Sequence, residues 1–221
     1  MADVAASRRW VPALALMIVV IMVVTGVVAY DRGTWLLEVF PIFLAAPVLV
    51  WTWYRFPLSS LLYVLIAMHA LILITGGLYT YARVPLGFWI EHAFHMSRNP
   101  YDKIGHFAQG FVPALIAREV FLRKRVVKPG GWTTFLSITV ALSVSLIYEL
   151  IEWVAAISLG QGADAFLGTQ GDPWDTQTDM GMALVGASVA MLFFRRLQDR
   201  QIARLPMPAG AVRVPSDREL Y

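Results

Sequence analysis

No cysteine occurs among the 221 residues, which excludes disulfides, thiolate metal sites and cysteine nucleophiles. Charge is also scarce. Asp, Glu, Lys and Arg make up 15% of the chain, against about 25% in an ordinary soluble domain. No G-x-S-x-G elbow, P-loop or glycine-rich dinucleotide fingerprint is present, and there are no strand-like segments to host one. Ser137, Ser143, Ser145 and Ser158 have no base at useful spacing, so a serine triad is not supported. No internal repeat is visible, and an inverted repeat is the usual mark of many carriers.

What the chain does contain is apolar surface. Hydrophobic residues make up 58% of it, and the mean hydropathy is +0.62. That composition points to lipid as the solvent. Six apolar stretches, each near the roughly 20 residues that cross a bilayer, are legible: Val11–Tyr30, Trp35–Trp53, Leu58–Tyr79, Pro100–Phe121, Trp132–Ile157 and Pro173–Phe194. The fourth is noticeably more polar than the rest. Each satisfies its backbone internally as a helix, with Pro41, Pro47 and Pro113 tolerated inside. The expected fold is an all-α polytopic membrane protein, six helices in one bundle over residues 11–194. A short N-terminus (1–10) precedes the bundle and a basic tail (195–221) follows it.

Basic residues orient the bundle. Arg8, Arg9, Arg55, Arg118, Arg123, Lys124, Arg125, Lys128 and six arginines after residue 194 fall on one side, fourteen of the eighteen Lys and Arg. The other side has Arg32, Arg83, Arg98 and Lys103. The positive-inside rule places both termini in the cytoplasm of a bacterial inner membrane. Arg8–Arg9 before an apolar run also suits a signal peptide, but the run is long and no A-x-A site follows, so an uncleaved anchor is expected. The external loop of about Tyr81–Asn99 is expected to form a short interfacial helix around Phe88, Trp89 and Ile90.

Polar residues within spans are costly and mark functional sites by default. Here they collect at the external ends of spans four to six. Asp102 and His106 are four apart on one helix face, with Gln109 a turn further. Glu149 and Glu152 stand at i and i+3 near a negative helix end, where a carboxylate needs a cation, a proton or a metal. Asp172 before Pro173 signals a helix start, with Asp175 and Asp179 following along the same face. Plainer readings remain open: Asp102 complementing a helix dipole, Asp172 as a cap, Glu152 reaching interfacial water, Arg118 and Glu119 as interfacial residues. Glu91, His92 and His95 offer an H-x-x-H pair, although solvated loop histidines are commoner. His69 lies alone near mid-span, as a packing residue or a proton relay. Glu38 is on the external side, and nothing in the sequence says whether it joins the cluster.

Three segments carry a resemblance: Tyr101-Asp102-Lys103-x-x-His106-Phe107, Tyr148-Glu149-x-x-Glu152-Trp153 and Gly168-Thr169-Gln170-Gly171-Asp172-x-Trp174-Asp175-Thr176-Gln177-x-Asp179-Met180. Together they resemble the YjdF-like family of bacterial inner-membrane proteins, which implies a location and an architecture but no activity. A looser similarity is to VanZ-like membrane proteins, which are linked to glycopeptide resistance.

Three functional readings follow. One is a membrane enzyme with Asp102, His106, Glu149, Glu152, Asp175 and Asp179 as its chemistry. His106, Glu149, Glu152 and Asp179 would ligate one divalent ion (Mg²⁺, Mn²⁺ or Zn²⁺), or a carboxylate paired with His106 would do acid–base work. Lys103 and Gln109 would help bind the cofactor, and helix starts beside Arg98 and Lys103 suit an anion. The expected partners are membrane lipids and a lipid-linked or small anionic substrate, not nucleic acid. The second is a proton- or ion-coupled transporter, with a non-catalytic assembly protein as the third. The polar groups thin out toward the cytoplasm, which counts against a through-pathway.

Overall fold

A computed structural model describes residues 2–159 and 170–206, which are helical or in turns, with no strand among them. In chain order the helices are α1 (Ala2–Val28), α2 (Arg32–Thr52), α3 (Ser60–Tyr79), α4 (Pro85–Phe94), α5 (Tyr101–Arg123), α6 (Gly131–Leu159) and α7 (Asp175–Val189). A π-helical turn, Ala190–Phe194, then leads into α8 (Arg195–Ile202). Expectations for Gly168, Thr169, most of the loop before Asp172 and the tail beyond Pro206 lie outside the described residues.

Five stretches are long and apolar enough to cross a membrane: Arg9–Val28, Arg32–Thr52, Ser60–Tyr79, Gly131–Ser158 and Asp175–Ile202. Each coincides with an expected span. The remaining one, α5, has 23 residues, about 34 Å at 1.5 Å per residue, but it is too polar to qualify on composition. Its environment explains that polarity. Fifteen of the 23 residues are buried, because α5 is the helix around which α3, α6 and α7 assemble. Its polar groups face other helices rather than lipid, which lowers their cost. The outer helices show the opposite pattern, with large apolar side chains such as Val27 and Val50 pointing outward.

Small residues set the closest approach. Gly110 lies against the Ala183 carbonyl, and Gly186 against the Phe107 carbonyl. A Cβ at either glycine would overlap the facing backbone, so this pair holds α5 and α7 in near-backbone contact, as small residues do in membrane bundles. On the other side Ile18, Val39, Ala67, Ala70 and Ile74 join α1, α2 and α3.

Helix starts differ slightly from expectation. Asn99 accepts the Tyr101 N–H at 3.0 Å, and α5 begins one residue later than expected, with Pro100 as the flanking residue. Asp172 accepts the Trp174 N–H at 2.9 Å, closing a turn ahead of α7, which starts only at Asp175. Asp175 and Asp179 therefore share a helical face, whereas Asp172 lies before the helix. The expected short helix between spans three and four is α4, with Phe88 and Trp89 exposed. The basic tail expected from Arg195 begins as α8, whose Gln198 is fully buried and donates to the Leu115 carbonyl at 2.7 Å.

A second polar group lies at the opposite end of α5. Arg118 and Glu119, read as interfacial, are buried together with Arg123. Glu119 accepts the Ser59 N–H at the start of α3 and bonds Arg123, each at 2.9 Å. Arg123 also donates to the Pro57 carbonyl at 2.6 Å, and Arg118 reaches Gln198 and Asp199. The α2–α3 turn and α8 cover this end of α5.

Candidate functional site

The centre of the site is one imidazole between carboxylates from three helices. The Nε2 atom of His106 lies 3.4 Å from Asp102 Oδ1 and 3.6 Å from Asp179 Oδ1. Its Nδ1 lies 2.8 Å from Gln109 Oε1 and 3.6 Å from Glu149 Oε1. An amide oxygen only accepts, so Nδ1 carries the proton in that bond. Nε2 is left facing two carboxylates at distances longer than a normal hydrogen bond. Asp102, His106 and Asp179 are all buried, and each offers a ligand atom within 4.8 Å of the other two.

Lys103 supports this centre from one side. Its Nζ is 2.7 Å from both Asp175 Oδ1 and Asp179 Oδ1, and 3.5 Å from Asp102 Oδ2. Arg98, in the loop before α5, pairs with Asp175 and, at 3.2 Å, with Asp172. Partial burial works against its charge, but the hydrogen bond and charge of Asp175, then Asp172, outweigh this and raise the guanidinium's pKa. Both cations expected to receive an anion are thus bonded to aspartates at the start of α7. Gln170 and Asn99 fasten the same two segments: Gln170 Nε2 donates to the Asn99 carbonyl at 2.9 Å, and Asn99 N–H donates back at 3.2 Å.

On the other side of His106 a cavity of about 90 Å³ opens between α2, α3, α5 and α6. Asp102 and His106 form one wall, facing Glu38, His69, Tyr148 and Glu152. Glu38 is 3% exposed and accepts the Tyr148 hydroxyl at 3.2 Å. Tyr81 enters from the turn after α3, where Thr80 and Tyr81 have φ of 59° and 44°. Left-handed backbone at two consecutive non-glycine residues is uncommon and strained. Gly76 and Gly105 leave room for the ring it turns inward.

Of the residues singled out from sequence, Asp102, His106, Gln109, Lys103, Asp175 and Asp179 converge. The two glutamates of α6 separate. Glu152 joins Tyr148 and Val144 on the cavity wall, at i, i−4 and i−8, whereas Glu149 turns toward His106 Nδ1 and Thr176. Neither falls within the Asp102–His106–Asp179 group, although both were expected as ligands beside His106 and Asp179; Asp102 takes that place. Glu38, undecided from sequence, faces the cavity, as does the mid-span His69. His92 and His95 are exposed and belong to no metal-capable group among the described residues. Tyr81 and Tyr148 were missed. The i, i+4 spacing of Tyr148 and Glu152 was the available signal.

Known proteins place the chain. Residues 11–200 match a family model described as "Predicted membrane protein (DUF2238)". The chain belongs to this family. It is 51% identical over 196 residues to the inner membrane protein YjdF of Escherichia coli strain K12, covering 89% of this chain and 94% of that one. This bears out the YjdF-like resemblance and shows a membrane protein like an inner-membrane relative; neither match bears on the VanZ-like one. No solved structure matches.

Proposed function

We propose that the chain is a metal-dependent membrane enzyme in which Asp102, His106 and Asp179 hold one divalent cation. Its substrate is a lipid-linked or other envelope compound at the outer face. The spacing about His106 carries this reading. Ligand atoms about 2.1 Å from a tetrahedral ion lie roughly 3.4 Å apart, and the two distances at Nε2 are 3.4 and 3.6 Å. Gln109, accepting from Nδ1, is the outer partner that fixes a ligating histidine in the right tautomer. Three protein ligands leave a position for water or substrate, the pattern of catalytic rather than structural sites. The ion would supply Lewis acidity and an activated water. With a proton in its place, the same residues would do acid–base work.

In this account α5 is the sixth span and crosses as the fourth. Both termini are cytoplasmic, which puts the site at the outer face. Elemental analysis of the purified protein tests the reading. A near-stoichiometric divalent metal, lost in His106→Ala and Asp179→Asn, is expected; a metal-free wild type contradicts it. Hydrolysis of a lipid-linked phosphate by the metal-loaded protein, but not by His106→Ala, would supply the activity.

A second reading, an ion-coupled carrier, gains from the polar groups buried at the cytoplasmic end of α5. Between Gln109 and Arg118, however, α5 has only Gly, Pro and apolar residues. That stretch spans about 13 Å of helix and interrupts a relay along it. Uncoupler-sensitive ion flux in proteoliposomes would favour the carrier.

A further inference from the structure

The cations near the site are segregated. Lys103 and Arg98 both point to the α5–α7 seam, and among the described residues no Lys or Arg lines the 90 Å³ cavity. That cavity nevertheless has three carboxylates on its walls, Glu38, Asp102 and Glu152. Asp102 is turned toward His106 and Lys103, yet its Oδ2 makes no hydrogen bond among the described residues. Glu38 is hydrogen-bonded by the hydroxyls of Tyr148 and Tyr81. Glu152 is half-buried and feels the charge of His106. The buried Nε2 of His69 has no hydrogen-bond partner among the described residues. The His106 imidazole is the positive partner these three carboxylates share, so a partly open space with this lining favours a further positive charge.

Size and geometry narrow the choice. About 90 Å³ is the room of roughly three waters, enough for an ammonium with one or two carbons. A primary ammonium has three N–H donors and no acceptor. The cavity offers acceptors on three helices: Glu38 on α2, His69 Nε2 on α3 and Glu152 on α6. Tyr81 and Tyr148 present aromatic rings, which also favour a cation, and Pro41, Leu73 and Val144 suit a short carbon stem.

We propose that this cavity binds a small organic cation of the primary-ammonium type, held by Glu38, Glu152 and His69 beside His106. That the ammonium belongs to the substrate rests on the metal-enzyme reading above; the binding itself does not. Two sources share this chemistry, a free small amine and the terminal ammonium of an aminophospholipid.

The test is equilibrium binding of radiolabelled methylammonium to the purified protein in nanodiscs, with metal content measured on the same samples. One saturable site is expected, competed by ethanolamine and not by neutral acetamide. Glu38→Gln should weaken it by roughly tenfold or more, the loss of a charge-assisted hydrogen bond, while metal content stays at the wild-type level. Discs of phosphatidylethanolamine that block the site, where phosphatidylcholine discs do not, identify a lipid headgroup. Equal binding in both identifies a free amine. No saturable binding by the wild type in phosphatidylcholine discs overturns the proposal, and so does binding that Glu38→Gln leaves unchanged. Because the first of these outcomes is read on the unmutated protein, a misfolded variant cannot conceal it. Methylammonium binding by metal-free protein would sink the metal reading alone.

Discussion

Gly110→Ala is the substitution that most sharply separates this architecture from a loosely packed bundle. A Cβ at residue 110 would overlap the carbonyl, carbon and Cα of Ala183, all backbone, so no side chain can rotate away. The helices would have to separate by roughly 1.5 Å to restore van der Waals distance. Overpacking of this kind costs about 1–3 kcal/mol, a fall of roughly 2–10 °C in the unfolding midpoint for a chain of this size. The same separation carries Asp179 on α7 away from His106 on α5. Their present gap of 3.6 Å suits an ion, and it tolerates little widening when ligand bonds are about 2.1 Å. Metal content should therefore fall along with stability. Gly181, on the same α7, is exposed and would meet nothing within 4 Å. Gly181→Ala should be neutral or stabilising by about 0.5–1 kcal/mol through helix propensity. Thermal unfolding in one detergent and elemental analysis read both variants. Equal midpoints for the two, or a Gly110→Ala protein with full stability and metal, would refute the seam.

Three further outcomes are expected. Gln109→Leu should leave folding intact and weaken metal retention against a chelator by about 10–100-fold, the usual effect of losing a ligating histidine's outer partner; unchanged retention would remove Gln109 from that role. Arg123→Met leaves the carboxylate of Glu119, 0% exposed, without its cation and should cost about 3–5 kcal/mol. Adding Glu119→Gln should recover part of that loss in thermal unfolding, and a double variant no better than the single one would contradict the network. Because the chain has no cysteine, single cysteines report topology cleanly: Ser97→Cys should react with an impermeant maleimide from outside and Lys128→Cys only after lysis. The reverse pattern would move the site to the cytoplasmic face.

The layout of the spans was legible because lipid solvation imposes a plain length and composition rule. The convergence of Asp102, His106 and Asp179 was legible because intramembrane charge is rare. Helix rotation was not. Lipid-facing and core-facing surfaces are both apolar, so α3 gives no sign in sequence that His69 turns toward Glu38. For the same reason Glu149 and Glu152 read as one pair at i, i+3, whereas Glu149 meets His106 Nδ1 and Glu152 lines the cavity. The network of Glu119 and Arg123 was hidden differently. Its partners, Ser59 and Pro57, lie sixty or more residues away, and a charged pair at a helix end reads as interfacial until something is seen to cover it.

The most direct test of the central claim is anomalous diffraction, at the absorption edge of the bound metal, from crystals of the purified protein. The account predicts one peak about 2.0–2.2 Å from His106 Nε2 and from a carboxylate oxygen of each of Asp102 and Asp179. Gln109 should lie on the far side of the ring. A peak elsewhere in the bundle, or a well-ordered His106 with no peak between it and the two aspartates, would contradict it.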